Sequence, residues 1–147
     1  SLFSAVCELS ARSSSNNKDD ILKFKTFGEN FGIAYQIKDD VSDISSSSVS
    51  LGKPVNLDVK RNIITLPYIF CLNQLKDKDK KQFLYKIKKL SKRREKKEVY
   101  KLVEDLGGIE YSQRKIKEHL NLCLMAVEGY SDSLPLKRLI EKVFNEK

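Results

Sequence analysis

Apolar residues recur every three to four positions through most of this chain, the spacing of helices that bury one face. Leu2, Val6 and Leu9 share one face of a helix over Ser1 to Arg12. Ser13 to Asn17 is polar and reads as a loop. Lys18-Asp19-Asp20 opens a long helix that runs to about Ile44, with Asp19 or Asp20 at its positive end. At ~1.5 Å per residue that helix spans roughly 40 Å. Gly28 and Gly32 stand one turn apart within it and predict the close approach of another helix. Ser45 to Lys60 reads as a loop, and Ile63 to Leu75 as a short apolar helix with Pro67 in its first turn. Asp79 to Leu90 and Lys96 to Leu106 have the pattern of two amphipathic helices. Gly107-Gly108 breaks the chain; Ile109 to Gly129 and Leu134 to Phe144 complete a row of helices without internal repeat. The pattern predicts an all-α fold.

Composition agrees. Six Gly and three Pro in 147 residues argue against an all-β fold, and the length suits one domain with a real core. The longest apolar stretch, Ile63 to Leu72, is too short to cross a bilayer and contains Pro67. Cys7, Cys71 and Cys123 are odd in number and far apart, with apolar neighbours. They read as buried free thiols, which suits an intracellular, reducing compartment such as a cytosol, plastid stroma or mitochondrial matrix. His119 is the only histidine and lies in a charged helical stretch, where a surface role is expected.

The chemistry concentrates near the end of the long helix. Gln36, Asp39, Asp40 and Asp43 fall within two turns, on one side of it. Three carboxylates this close repel one another unless a cation sits among them. Their hard oxygens suit Mg²⁺ that keeps some waters and shares its shell with phosphates. A solvated acidic face is the alternative, and the apolar flanks Phe27, Phe31, Ile33, Ile37, Val41 and Ile44 count against it. A Ser-rich stretch then ends in Gly52-Lys53-Pro54, which predicts a loop that hangs Lys53 over the acidic turn. A metal and an ammonium around one position form a diphosphate clamp.

These residues resemble the C-terminal half of the trans-isoprenyl (polyprenyl) diphosphate synthases, and the resemblance runs through nearly the whole chain. Asp39-Asp40-Val-Ser-Asp43 resembles the family's second aspartate-rich motif, DDxxD. Phe31-Gly32 leads into Tyr35-Gln36 where the family usually has Phe-Gln. Gly52-Lys53-Pro54, Asp58 and Thr65-Leu66-Pro67 follow at the family's spacing, as do Gly107-Gly108-Ile109-Glu110-Tyr111 and Ser133-Leu134-Pro135. Terpene cyclases share an aspartate cluster, but the Gly-Lys-Pro and Thr-Leu-Pro followers favour chain elongation.

The resemblance implies an antiparallel helical bundle of the isoprenoid synthase type. It implies Mg²⁺-dependent, head-to-tail condensation of isopentenyl diphosphate with an allylic diphosphate. Asp39 and Asp40 would ligate Mg²⁺, with Asp43 direct or through water. Lys53 would contact diphosphate oxygens, and Gln36 would orient the diphosphate or a metal-bound water. The family's first aspartate-rich motif and its basic isopentenyl diphosphate residues are not in this sequence. The 147 residues therefore read as the C-terminal part of a single domain, catalytic only with the N-terminal half. Ser42 stands where the family has a large apolar residue, and Ile63 where many members carry lysine; Lys60 and Arg61 are near enough to substitute.

Charge adds one more feature. Lys76 to Lys101 holds thirteen Lys or Arg against Asp77, Asp79, Glu95 and Glu98, a local balance of +9. The whole chain carries +8, so the remainder is near −1 and the basicity is one block. Such a block is first a solvated face of two helices, second a surface for anionic lipid, and third a nucleic-acid contact. No RNP-like, zinc-finger or helix-turn-helix pattern supports the third. Three functional readings follow: a prenyltransferase fragment that works as a homodimer or heterodimer, a non-catalytic subunit of a heteromeric synthase, and, last, a basic nucleic-acid-binding module.

Overall fold

The structure, a computed structural model, describes residues 1–45, 64–93 and 95–145. The described elements are all helices: α1 (Leu2–Ser14), α2 (Lys18–Ile44), α3 (Leu66–Gln74), α4 (Asp77–Arg93), α5 (Lys96–Asp105), α6 (Gly108–Ala126) and α7 (Leu134–Asn145). The boundaries fall within a few residues of those expected from periodicity, and α3 is shorter than expected. The loop expected over Ser45 to Lys60 lies, apart from Ser45, outside the described residues.

Local chemistry explains where the helices start. The Ser1 hydroxyl accepts from the Ser4 amide at 3.2 Å and satisfies one of the free amides of the first turn of α1. At α2 the cap is Asn17: its Oδ1 accepts from the Asp19 amide at 2.9 Å. Asp19 and Asp20 sit in the first turn, where their charge meets the positive end of the helix. Pro67 lies in the first turn of α3, where its missing N–H costs no hydrogen bond. Gly107 ends the α5 segment at φ +76°, a left-handed conformation that glycine adopts without a Cβ penalty.

The helices divide into two compact units, residues 1–36 with 115–147, and residues 37–114. In the first, Phe27, Phe31, Cys123, Val127 and Ile140 form the buried core. Phe31 meets Phe3 edge-on at 5.2 Å and Phe144 at 5.6 Å between ring centres. The close approach expected at Gly28 is present: a Cβ there would stand 2.5 Å from the Phe3 carbonyl oxygen and 2.9 Å from Cys7 Sγ. α1 therefore runs antiparallel to α2 almost backbone to backbone, with Lys25 bridged to Glu8 at 3.0 Å further along.

In the second unit the core is Ile44, Tyr68, Cys71, Phe83, Ile87, Val99, Val103 and Ile109. Each fully buried Ile or Phe contributes ~1.5–3 kcal/mol over leaving it exposed. Phe83 and Ile87 give α4 its inner face, and Val99 and Val103 do the same for α5. At the start of α6, a Cβ on Gly108 would stand 2.6 Å from the Pro67 carbonyl oxygen and 2.7 Å from Cys71 Sγ. The second glycine of the Gly107-Gly108 pair is thus there for space, and the first for conformation.

Candidate functional site

The candidate residues sit on the last turns of α2. Ile37, Asp40 and Ile44, at i, i+3 and i+7, form its buried stripe, with Asp40 only 8% exposed. Gln36 and Asp39 are exposed and Asp43 is half-buried, at the same spacing one residue earlier. The single polar stripe expected from the sequence is therefore two. The boundary between core and solvent passes between Asp39 and Asp40, which are about 100° apart around the helix. Proximity within two turns was legible in the sequence, but the side of the helix each residue takes was not.

A buried carboxylate is costly unless it is partnered. Asp40 has such a partner, and Gln36 and Asp43 are likewise engaged. Lys53 lies outside the described residues, as do Gly52, Pro54, Asp58, Lys60, Arg61 and Ile63. Tyr68 was passed over in the sequence. It is 3% exposed and packs in the same core as Ile44 and Val41. Its place directly after Thr65-Leu66-Pro67, in the first turn of α3, was the available signal.

The donor set has the right chemistry for a hard divalent cation, since all three members are carboxylates. Among the described residues, no group of three or more His, Cys, Asp or Glu side chains is gathered closely enough to hold a metal ion. Asp39 and Asp43 stand one turn apart on α2, Asp39 exposed and Asp43 half-buried. Two carboxylates so placed would supply part of a Mg²⁺ shell whose other positions go to water and phosphate oxygens.

The remaining candidates have structural settings. His119 is half-buried rather than on the surface, and its Nδ1 lies 2.8 Å from Asn30 Oδ1. Asn30 donates through Nδ2 to the Thr26 carbonyl at 2.8 Å, which orients its Oδ1 toward the ring and makes His119 Nδ1 the donor. Cys71 and Cys123 are buried and free, and each lies near a backbone carbonyl, of Val103 and Phe27 respectively. Burial pushes the Cys71 thiol up to about 11; burial, with Cys7 adding to it, pushes Cys123 up to about 12. Neither offers a thiolate near neutral pH. In the basic block, Lys78, Lys81, Tyr85, Lys88 and Lys89 are exposed on the side of α4 opposite Phe83 and Ile87. No described helix is long and apolar enough to cross a membrane.

Known proteins share sequence and fold with this chain. A family model described as polyprenyl synthetase matches residues 1–106, a span that includes the acidic turn of α2 and Lys53. The chain is 29% identical over 145 residues to a prenyl transferase of Cyanidium caldarium, covering 99% of this chain and 44% of that protein. It is 30% identical over 141 residues to a prenyl transferase of Porphyra purpurea, covering 96% of this chain and 42% of that one. Among solved structures it matches geranylgeranyl pyrophosphate synthase from Bacteroides thetaiotaomicron at a TM-score of 0.79 and 27% identity, over 99% of this chain and 49% of that one. The chain thus has part of the isoprenoid synthase helical fold, and spans less than half the length of these curated relatives.

Proposed function

The chain belongs to the polyprenyl synthetase family, and from that premise we propose that it forms the C-terminal part of one prenyltransferase domain. The reaction is the head-to-tail condensation of isopentenyl diphosphate with an allylic diphosphate. The observation that carries this reading is that the family match takes in the acidic turn and Lys53 in one continuous span. The other half of the domain, with the first aspartate-rich motif, completes the site. The relatives' greater length supports this.

Asp39 and Asp43 would hold Mg²⁺ from the outer side of α2, and Asp40 contributes from the buried stripe. When bound, the ion stabilises the charge that develops on the diphosphate leaving group. Lys53 binds diphosphate oxygens as a point charge, and the Gln36 amide orients the same group. Apolar helices around the site keep water from the allylic cation. The assembled enzyme works as a homodimer or heterodimer in a reducing compartment, which suits three free cysteines. The exposed lysines of α4 suit attraction to anionic lipid near an insoluble product.

The test is incorporation of labelled isopentenyl diphosphate by the assembled protein. Asp39→Ala is expected to cut turnover at least ~100-fold, the size of losing a charge stabiliser in the transition state. Turnover close to that of the unaltered protein would remove Asp39 from the site. A second reading is a non-catalytic subunit of a heteromeric synthase. The coding sequence upstream of Ser1 separates the two: an in-frame DDxxD supports one catalytic domain, and an unrelated upstream domain supports the subunit.

A further inference from the structure

The basic block of the sequence narrows to one side of one helix. In α5 the exposed charges are of both signs, Lys97 and Lys101 beside Glu98, Glu104 and Asp105. In α4 the two signs are separated. Lys78, Lys81, Lys88 and Lys89 are exposed, and with Tyr85 they fall within about 100° of arc, opposite the buried Phe83 and Ile87. The two acids of α4 lie outside that arc: Asp77 is bridged to Lys80 at 2.7 Å, and Asp79 is half-buried. None of the four lysines is in an ion pair among the described residues. Tyr85 stands amid them, 69% exposed. A helix face that meets only water is stabilised by alternating Lys with Glu. Here Lys78 and Lys81, three apart, repel each other, and Lys78 sits in the first turn, at the positive end of the helix.

We propose that this face of α4, with Lys78, Lys81, Tyr85, Lys88 and Lys89, docks on an anionic lipid surface. Ammoniums spread over ~17 Å of helix form the kind of polybasic cluster that a phosphatidylserine-bearing leaflet attracts. Lysine is a hydrated point charge, so it meets lipid phosphates and carboxylates without a fixed geometry. An exposed tyrosine among the lysines suits the headgroup layer, where its ring leaves water and its hydroxyl stays wet. No described helix is apolar enough to cross the bilayer, so the contact is peripheral and electrostatic. Nucleic acid fits less well. The face has no arginine to fork onto phosphate or guanine. A single ring on a helical ridge also differs from the row of rings along a groove that holds a single strand. Such docking sets a prenyltransferase beside the bilayer that takes up an apolar product, and that consequence rests on the function proposed above.

The experiment is co-sedimentation of the protein expressed from its own gene with vesicles of phosphatidylcholine, alone or with about one phosphatidylserine in three. Binding is expected to the anionic vesicles only, and to be lost at ~0.5 M salt, which screens the charges. The triple variant Lys81→Gln, Lys88→Gln, Lys89→Gln should bind at least ~10-fold more weakly. The control Lys117→Gln, Lys137→Gln, Lys142→Gln removes the same charge from exposed positions elsewhere and should bind as the unaltered protein does. Equal loss in the two triple variants overturns the proposal in favour of net charge, and equal binding to both kinds of vesicle overturns it outright. A labelled uridine oligonucleotide that binds more tightly than the vesicles at the same salt, and is released by the α4 variant, overturns it in favour of nucleic acid. Tyr85→Trp reports on the face directly. The fluorescence it adds over the unaltered protein should shift to the blue on anionic vesicles, and an unmoved spectrum in a vesicle-bound sample places another face on the lipid. Turnover is measured on the same samples. Lipid binding by α4 without condensation keeps the docking face and defeats the synthase reading, whereas condensation without lipid binding defeats the docking face alone.

Discussion

α4 and α1 are both amphipathic by sequence, and they end in opposite arrangements. α4 buries Phe83 and Ile87 and presents Lys78, Lys81, Lys88 and Lys89 to water. α1 buries Ser4 and Ala11 and presents Leu2, Val6 and Leu9. α4 packs against α5 within its own unit, so its hydrophobic stripe is fully used there. Against α2, α1 turns Ser4 and Ala11 inward, brings the Phe3 backbone and Cys7 close to Gly28, and rests the Phe3 ring on Phe31 and Tyr35. The difference teaches that an apolar stripe in the sequence does not by itself decide which side of a helix is buried. That is decided by the neighbour against which the helix packs.

The comparison is broken most strongly at the buried face of α4. Ile87 is 1% exposed, and Ile87→Ala is expected to destabilise the chain by ~2–5 kcal/mol through lost burial and a residual cavity. Chemical denaturation measures this as a lower midpoint at unchanged slope. Gly28→Ala should cost ~1–3 kcal/mol, since the added methyl meets backbone and not a yielding side-chain end. It should also loosen α1, seen as faster amide exchange over residues 2–14 with little change over α4.

Alkaline pH probes the first unit from another side. The Tyr130 hydroxyl donates to Asp20, and that bond, with some burial and the charges of Asp20 and Asp19, holds the phenol up to about 12. A folded value above the ordinary 10 means the stabilisation is whole below pH 10 and fades as pH rises toward 12. Tyr130→Phe should flatten that stretch of the stability–pH curve, and an unchanged slope would show that the bond does not persist in solution. The smallest effect is expected on α1 itself. Leu9→Ser in the isolated chain should shift stability by no more than ~0.5 kcal/mol, because the side chain is already in water. A loss comparable to that of Ile87→Ala would mean the stripe is buried after all.

Much of this was legible in the residues themselves. The helices follow from periodicity, and the approach at Gly28 from a glycine pair set in strong helical pattern. The neighbourhood of Asp39 and Asp43 follows from helix geometry, because residues four apart on a helix are neighbours in any fold. These are short-range relations, decided by backbone sterics and local spacing, and the chain order alone determines them.

Tertiary packing decided the rest. That Asp40 faces inward while Asp39 faces water depends on which ridge of α2 its neighbours press against. That His119 pairs with Asn30, 89 positions away, depends on two helices being brought side by side. That α1 presents Leu2, Val6 and Leu9 while Ser4 and Ala11 face inward depends on which side of it packs against α2. In each case the side chain's own character permits either outcome. The choice is made by distant residues whose position is fixed only when the helices pack.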